Sequence, residues 1–215
     1  MARRTSREPP KLGKPVDEVL TGSLATLRRE ASDCRRCPLW RFATQTVFGT
    51  GPGNARMMLI GEQPGSQEDL QGEPFVGPAG HLLRDALAEA GIDVASLYLT
   101  NTVKHFKYEQ RGKVRLHKRA NSSEQAACRP WLAAELARVR PQIVVALGAM
   151  AAQTLFGNAF RLTRERGRWH PLGEDTQAMA TWHPSAILRM RSPEREEARR
   201  QLVSDLQRAA GKLSE

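Results

Sequence analysis

Short apolar runs alternate with amphipathic segments from residue 56 onward, and this alternation constrains the fold more than any other feature of the chain. The strand-length runs are RMMLIG, SLYLTN, QIVVALG and QAMATW. Segments with helical spacing separate or follow them, among them AGHLLRDALAEAG, SSEQAACRPWLAAELARV and PEREEARRQLVSDLQRAA. Such alternation predicts a parallel sheet with helices on both faces. We therefore expect an α/β fold, a three-layer α/β/α sandwich around a four-stranded parallel sheet.

The chain has 215 residues, which suits one domain with a buried core. Residues 1–15 are basic, contain three prolines and have almost no apolar side chains to bury. We expect a flexible tail over 1–15 and a single domain over 16–215. Helical spacing predicts an early helix in residues 16–31, and Ser122 or Ser123 should cap the long helix that follows them.

The balance of charged residues indicates a polyanionic partner. The net charge is +10, which favours DNA or RNA through the release of counterions. No apolar run is long enough for a membrane span, and the N-terminus lacks the apolar stretch of a signal peptide. Three cysteines are an odd number, which argues against a disulfide framework and suits a reducing compartment. We expect a cytoplasmic monomer that does not bind membranes.

Polar side chains follow three of the predicted strands. Glu62 and Gln63 come after the first strand, Asn101 closes the second, and His183 comes after the fourth. In open parallel sheets, ligands bind beyond the carboxyl ends of the strands, so these side chains should meet at one edge. An acid, two amides and an imidazole can form hydrogen bonds with a polar heterocycle and can transfer protons.

Two motifs carry a resemblance to a known family. The stretch GEQPGSQEDLQGEPFVGPAG, residues 61–80, contains neither a Walker loop nor a dinucleotide fingerprint. It resembles the first motif of the uracil-DNA glycosylase superfamily, particularly the GExPG and PFVGxAG signatures of the family 4 iron-sulfur enzymes. The stretch TWHPS, residues 181–185, resembles the second motif, which ends in HPS. The resemblance extends from Cys34 to about Arg189 and implies the same fold.

The resemblance implies a role for each matched residue in binding uracil. Phe75 would stack on the flipped base, although packing in the core is the alternative. The Asn101 amide would pair with O4 and N3–H of uracil, a pattern that cytosine reverses. His183 would donate to O2, where negative charge develops as the base leaves. Glu68 would crowd C5 and exclude the thymine methyl group, with a solvated loop carboxylate as the alternative.

Flipping the base out of the helix costs about a few kcal/mol. Ser185, in the HPS segment, and Leu188 or Arg189 just after it are candidates to contact phosphate and fill the gap. Leu188 has a plainer interpretation, since it could simply anchor the loop.

The three cysteines suggest a metal site. Cys34 and Cys37 form a CxxC pair, and Cys128 lies far along the chain. Family 4 enzymes hold a 4Fe-4S cluster through cysteine thiolates. In that family the remaining cysteine lies in a VKC segment, and here the same place reads VKH, so the resemblance makes His105 the fourth ligand. Spacing alone leaves open a zinc site of three Cys and one His, or three unrelated buried thiols.

A basic insertion after His105 contains KVRLH, residues 113–117, which resembles the KRRIH loop of UdgX-type uracil-DNA glycosylases. In those proteins the loop histidine bonds covalently to the abasic sugar, which makes His117 the expected nucleophile. Val114 and Leu116 depart from the pattern. The flanking cations should keep the imidazole of His117 neutral.

The GEQPG segment also matches UdgX-type proteins letter for letter. It makes Glu62 the candidate base, and Gln63, which we group with the uracil-binding residues, the candidate to hold the loop. The cations expected to bind DNA are those of the insertion and Arg189, together with the hydroxyl of Ser185: Lys113, Arg115, Lys118, Ser185 and Arg189.

We therefore expect a bacterial, nucleoid-associated enzyme that excises uracil from single- or double-stranded DNA and then becomes linked through His117 to C1′ of the abasic site. One alternative is an ordinary hydrolytic glycosylase that turns over. The other is an iron-sulfur DNA-binding module that breaks no bond.

Overall fold

The computed structural model describes residues 12–214 and shows a mostly parallel sheet between two layers of helices. The strands are β1 (Met57–Gly61), β2 (Tyr98–Asn101), β3 (Tyr108–Arg111), β4 (Val114–His117), β5 (Ile143–Leu147), β6 (His170–Pro171) and β7 (Gln177–Thr181). The central sheet has the order β2-β1-β5-β7-β6, and its first four strands are parallel. The predicted four-stranded parallel sheet and the α/β sandwich are confirmed.

Strand β6 adds a fifth, antiparallel strand at the β7 edge, which the sequence analysis did not predict. It has only two residues, and one of them is Pro171. A pair of residues is too short for a period-2 pattern, and proline is tolerated here because the strand lies at the edge.

Helices cover both faces of the sheet. They are α1 (Leu24–Ser32), α2 (Ser66–Gln71), α3 (Pro78–Glu89), α4 (Ser122–Val139), α5 (Ala149–Phe156), α6 (Leu162–Glu165), α7 (Pro184–Arg189) and α8 (Glu194–Lys212). One core cluster joins α3 and α8 to the sheet through Leu83, Leu206 and Val145. Another joins α4 and α5 to the opposite face through Leu132 and Leu155. No helix within residues 12–214 combines the length and apolar character that crossing a membrane requires.

Two helix boundaries differ from the prediction. Helix α1 begins only at Leu24, where the Ser23 side chain accepts a hydrogen bond from the Thr26 backbone N–H at 3.1 Å. The cap of α4 is Asn121, because the helix already includes both Ser122 and Ser123. The Asn121 side chain accepts from the backbone N–H of Glu124 at 2.9 Å, and the Glu124 carboxylate accepts in return from the backbone N–H of Asn121 at 2.7 Å.

The predicted N-terminal tail lies mostly outside the described residues, since residues 1–11 fall there. The part from Leu12 onward contacts the domain. Leu12 packs against the core beside α5, and the Gly13 N–H donates to the Leu155 carbonyl at 2.8 Å. Arg129 donates to the Pro15 carbonyl at 2.8 Å. Residues 12–15 therefore contact the domain, and the boundary at residue 16 stays a prediction.

Strands β3 and β4 form an antiparallel hairpin, residues 108–117, with a turn at Gly112 and Lys113. Gly112 has a φ of +57°, a conformation that glycine adopts without strain. The pairing places Tyr108 opposite His117 and Gln110 opposite Arg115. Charged side chains obscure the strand pattern in the sequence, so only a basic insertion was expected here.

Candidate active site

A cavity of about 900 Å³ opens beyond the carboxyl ends of β1, β2 and β7. It lies where parallel strands end at one edge of the sheet, the position that ligand sites of such folds occupy. The predicted site residues that line it are Glu62, Gln63, Glu68, Phe75, Asn101, His117, His183, Ser185 and Arg189. Of the residues expected to act at the base or on DNA, only Lys113, Arg115 and Lys118 lie away from its walls.

Phe75 and Asn101 sit side by side at the floor of the cavity. Phe75 is buried and has a φ of +59°, which is uncommon for a residue other than glycine. Arg84 holds this turn by donating to the Phe75 carbonyl at 2.6 Å. A Cβ on Gly61 would lie 2.3 Å from Asn101 Oδ1 and 2.7 Å from Phe75 Cζ. Glycine at the end of β1 therefore allows the Phe75 ring and the Asn101 amide to approach this strand end together.

His183 is fixed as a neutral hydrogen-bond donor. Its Nδ1 accepts from the Ser185 backbone N–H at 3.1 Å and lies 2.8 Å from Ser185 Oγ. Since a backbone N–H can only donate, Nδ1 carries the lone pair and Nε2 carries the proton. Burial, with Arg189 and His117 nearby, lowers the pKa of His183 to about 4. At pH 7 the ring thus presents a neutral Nε2–H group.

Glu62 lines the same cavity with a half-buried carboxylate. Burial raises the pKa of Glu62, while Arg119 and Arg189 oppose that rise. Within residues 12–214, its carboxylate makes no hydrogen bond. It is therefore available to accept a proton from a group that enters the cavity.

His117, the last residue of β4, lies on the hairpin side of the cavity, with its ring centroid 6.0 Å from that of Phe106. Burial and then Arg189 lower the pKa of His117, and Glu68 opposes them. A lowered pKa favours the neutral ring, the form that the sequence analysis expects. The cause differs, because the contributing cation is Arg189 on α7 and not a neighbour in the basic insertion.

Gln63 attaches the base of the hairpin to the end of β1. Its Oε1 accepts from the Ala120 N–H at 3.1 Å, and its Nε2 donates to the carbonyls of Lys118 at 3.0 Å and Lys107 at 3.3 Å. These contacts occupy both ends of the amide. Gln63 therefore holds the segments that flank the hairpin, and its polar atoms are directed to them.

Arg115 faces the protein, unlike the other two cations of the insertion expected to bind DNA. Its guanidinium contacts Asp69 at 2.6 Å and donates to Ser66 Oγ at 2.8 Å. It also lies over the ring of Phe106, 5.4 Å from the centroid. Asp69 is fully buried, so this contact is shielded from water. Arg115 therefore attaches β4, whose last residue is His117, to α2.

Lys113 and Lys118 remain on the outer surface of the hairpin. Lys113 is exposed at the turn, and Lys118 forms an exposed ion pair with Glu109 at 2.6 Å. An exposed ion pair of this kind is weak, so Lys118 can leave Glu109 to contact a phosphate. The exposed Lys113 ammonium group is also accessible to a phosphate.

Glu68 connects two loops at the wall of the cavity. Its carboxylate accepts from the backbone N–H groups of Gly65 at 3.1 Å and Gly77 at 2.9 Å. The side chain is buried, so the alternative of a solvated loop carboxylate is wrong. Glu68 also lines the cavity, and its contact with C5 of uracil stays a prediction.

Two residues that shape the site were not singled out as site residues from the sequence. Arg119 lines the cavity and acts on Glu62, and Asp69 anchors Arg115. Alternation along an extended strand would have found Arg119, because it lies two residues beyond His117 on the same face. No local signal marks Asp69, whose partner is distant in sequence.

The predicted metal ligands are gathered in one buried region, at the cluster of side chains between α1 and α4. Cys34 Sγ accepts from Trp131 Nε1 at 3.2 Å, and Cys128 Sγ accepts from the Lys104 N–H at 3.2 Å. Burial raises the pKa of Cys128 to about 12 and also raises that of Cys37. A bound metal would overcome this cost by stabilising the thiolates.

His105 has the features of a metal ligand. Its Nε2 lies 3.0 Å from Thr46 Oγ1, and that hydroxyl already donates to the Ala31 carbonyl at 2.7 Å. Thr46 must therefore accept from Nε2–H, which leaves the lone pair on Nδ1. This Nδ1 atom is buried and has no hydrogen-bond partner within residues 12–214. A second-shell bond on one ring nitrogen and a free lone pair on the other are typical of ligating histidines.

A cavity of about 140 Å³ lies between Cys34 and His105. Within residues 12–214, no three His, Cys, Asp or Glu side chains converge closely enough to hold one metal ion. A cubane cluster is larger than an ion and spaces its ligands more widely. The donor set of three sulfurs and one nitrogen fits such a group.

The fold and the cavity define an α/β protein with a site at the strand ends that is lined by an aromatic ring, an amide and an imidazole. A model of the family described as the uracil DNA glycosylase superfamily matches residues 48–207, and the chain belongs to this superfamily. A Type-4 uracil-DNA glycosylase of Archaeoglobus fulgidus is 36% identical over 174 residues, 77% of this chain and 83% of that protein.

A Type-4 uracil-DNA glycosylase of Thermotoga maritima is 36% identical over 177 residues, 82% of this chain and 87% of that protein. A Type-5 uracil-DNA glycosylase of Pyrobaculum aerophilum is 29% identical over 143 residues, 60% of each chain. These relatives support uracil-DNA glycosylase activity.

Proposed function

We propose that the protein excises uracil from DNA and then becomes covalently linked, through His117, to C1′ of the resulting abasic site. The observation that carries this proposal is that His117 lines the same cavity as Phe75, Asn101 and His183. The expected nucleophile and the expected base-reading residues therefore line one cavity.

Excision follows from the residues at the floor of the cavity. A flipped uracil stacks on Phe75, and the Asn101 amide pairs with its O4 and N3–H. As the bond between C1′ and N1 breaks, its electron pair leaves with the uracil, and negative charge grows on O2. The Nε2–H of His183 donates to that oxygen, and this bond strengthens as the entering nucleotide displaces water.

Capture follows from the hairpin. Base loss leaves C1′ with cationic character, and a neutral ring nitrogen of His117 attacks it to form a C–N bond. The other ring nitrogen then gives its proton to the Glu62 carboxylate, whose raised pKa makes it a better acceptor than an exposed glutamate. Glu62 then passes this proton to the uracil anion, so the base leaves neutral and the carboxylate is restored. The product is a neutral N-glycoside, from which imidazole leaves poorly.

DNA binding uses cations on the hairpin surface and in the cavity wall. Lys113 and Lys118 on the hairpin and Arg189 beside Ser185 are placed to meet phosphates. The net charge of +10 supplies the long-range attraction, which weakens as salt concentration rises.

We assign a 4Fe-4S cluster to Cys34, Cys37, Cys128 and His105. The support is the buried donor set, the free lone pair on His105 Nδ1 and the likeness to Type-4 enzymes. The cluster would join the CxxC segment to α4 and to the residues just before the hairpin. None of the steps above requires an electron, so its contribution is structural.

Intact-protein mass spectrometry tests the proposal. After incubation with a single-stranded oligonucleotide that contains one uracil, we expect the protein mass to rise by the mass of the oligonucleotide minus uracil. The same oligonucleotide with thymine should give no adduct. Unmodified protein together with released uracil would show that water takes C1′, and absence of released uracil would indicate a binding module.

The ion pair between Arg115 and Asp69 holds the strand that carries His117. Replacing Arg115 should therefore slow covalent capture much more than it slows uracil excision. Arg115→Met should slow adduct formation by about tenfold or more, because displacing a reacting group by about 1 Å can cost about 10²-fold. Uracil release should change by less than about threefold, since the base-reading residues lie on other elements. Both rates can be followed by quenched-flow sampling on denaturing gels.

Lys113→Met is the matched control, because it removes the same charge from an exposed position of the hairpin. It should lower the salt dependence of DNA binding and leave adduct formation at saturating DNA nearly unchanged. Equal effects of the two variants on adduct formation would show that Arg115 acts as a DNA contact.

A further inference from the structure

A fully buried ion pair lies between the candidate active site and the cysteine cluster. Lys104 Nζ is 2.5 Å from Glu135 Oε2, and both side chains are 0% exposed. Lys104 comes three residues after Asn101 and immediately before His105. Glu135 lies on α4, the helix that also carries Cys128.

Lys104 uses all of its ammonium protons on fixed partners. Besides the Glu135 carboxylate, Nζ donates to Thr100 Oγ1 at 2.7 Å and to the Asn101 carbonyl at 2.8 Å. Both acceptors belong to the last two residues of β2. A charge-assisted hydrogen bond is shorter and stronger than a neutral one, so the ammonium group holds the end of this strand firmly.

Glu135 is satisfied to the same degree. Its Oε1 accepts from the Gly49 N–H at 2.9 Å, from Thr100 Oγ1 at 3.0 Å and from the Tyr98 hydroxyl at 3.2 Å. Burial and the Glu135 charge raise the pKa of Tyr98, so this hydroxyl remains a donor. Lys104 and Glu135 therefore form one hydrogen-bonded network with residues of β2.

Burying two charges offers little net stability, because desolvation offsets most of their attraction. Apolar residues of similar size would hold the core at least as well. What they would lack is a donor for the Asn101 carbonyl, since within residues 12–214 Lys104 makes the only side-chain hydrogen bond to that oxygen. The backbone N–H of Lys104 also donates to Cys128 Sγ, so one residue contacts both sites.

We propose that Lys104, held in place by Glu135, is a positioning residue that fixes the end of β2 and thereby the orientation of the Asn101 amide that reads uracil. Lys104 does not contact the base and acts through Asn101. This inference rests on the proposed excision of uracil and is independent of capture by His117.

The test compares Lys104→Met/Glu135→Gln with the wild-type protein. The double variant replaces the ion pair by neutral groups of similar shape, so it should fold and keep its iron absorbance. Its thermal midpoint should fall moderately, because the buried Asn101 carbonyl loses its donor. Its single-turnover rate of uracil release should fall by about tenfold or more, as expected for a misplaced reading group. The single variant Glu135→Gln, which keeps the Lys104 donor but buries a lone charge, should melt lower and yet lose less activity.

A double-mutant cycle shows whether Lys104 acts through Asn101. In an Asn101→Ala background, the change of Lys104 and Glu135 should cause little further loss of uracil release. Two results would overturn the positioning role. One is that the rate losses of Asn101→Ala and of the Lys104/Glu135 change multiply when combined; the other is that the Lys104/Glu135 double variant releases uracil within about twofold of the wild-type rate. Loss of iron absorbance in parallel with activity would show that the pair acts through the cluster instead. If the wild-type protein itself releases no uracil, the proposed excision is wrong. If the wild type releases uracil and the variants match it, only the role of Lys104 is wrong.

Discussion

Replacing His117 with Ser is expected to abolish the covalent complex while uracil release continues. The serine hydroxyl is shorter than imidazole and is a poor nucleophile at neutral pH, so water takes C1′ instead. Phe75, Asn101 and His183 are on other elements and keep their arrangement. Uracil-containing DNA should therefore give a heat-resistant band with the wild-type protein and free abasic DNA with the variant. Denaturing gels and measurement of free uracil report the two outcomes.

His81→Ser provides the matched control, because His81 is an exposed histidine on α3 outside the cavity. This control should form the adduct at the wild-type rate. Undiminished adduct formation by the His117 variant would remove His117 from its role and leave a different nucleophile to be found.

Replacing His183 with Ala should slow uracil release by about 10²–10³-fold, the usual cost of losing one donor to a developing oxyanion. The ring is neutral at pH 7, because its pKa is lowered to about 4, so the lost group is a neutral Nε2–H donor. Adduct formation should slow in parallel, since capture waits for base loss. Single-turnover kinetics with a radiolabelled or fluorescent uracil oligonucleotide measure both.

Ser185→Ala is a graded comparison for His183. It removes the hydroxyl near Nδ1 and leaves the backbone N–H that fixes the tautomer, so a smaller loss is expected. A His183→Ala variant that retained more than about a fifth of the wild-type rate would show that O2 is stabilised by another group.

Much of the site follows from rules that act locally along the chain. Strand-length apolar runs predicted the parallel sheet, and the strand-end rule predicted that Glu62, Asn101 and His183 would meet. The cavity contains all three. The motif resemblance added Phe75, which local polarity alone would have left as core packing.

Other features depend on partners that are distant in sequence. Arg115 reads as one more cation for DNA until its contact with Asp69 is seen, 46 residues away. Lys104 likewise appears as a surface cation in a basic run, although it is fully buried against Glu135. The hairpin was missed because its strands carry charges on both faces and its stability comes from contacts with the domain.

The sequence by itself determined the sheet, the edge at which the cavity lies and the polar residue types that meet there. It could do so because apolar periodicity and strand ends are properties of neighbouring residues. Only the tertiary structure decided which cations face solvent, which are paired inside the protein, and that His117 shares a cavity with the base-reading residues. Those outcomes depend on burial and on the charge found across the fold, which no local pattern specifies.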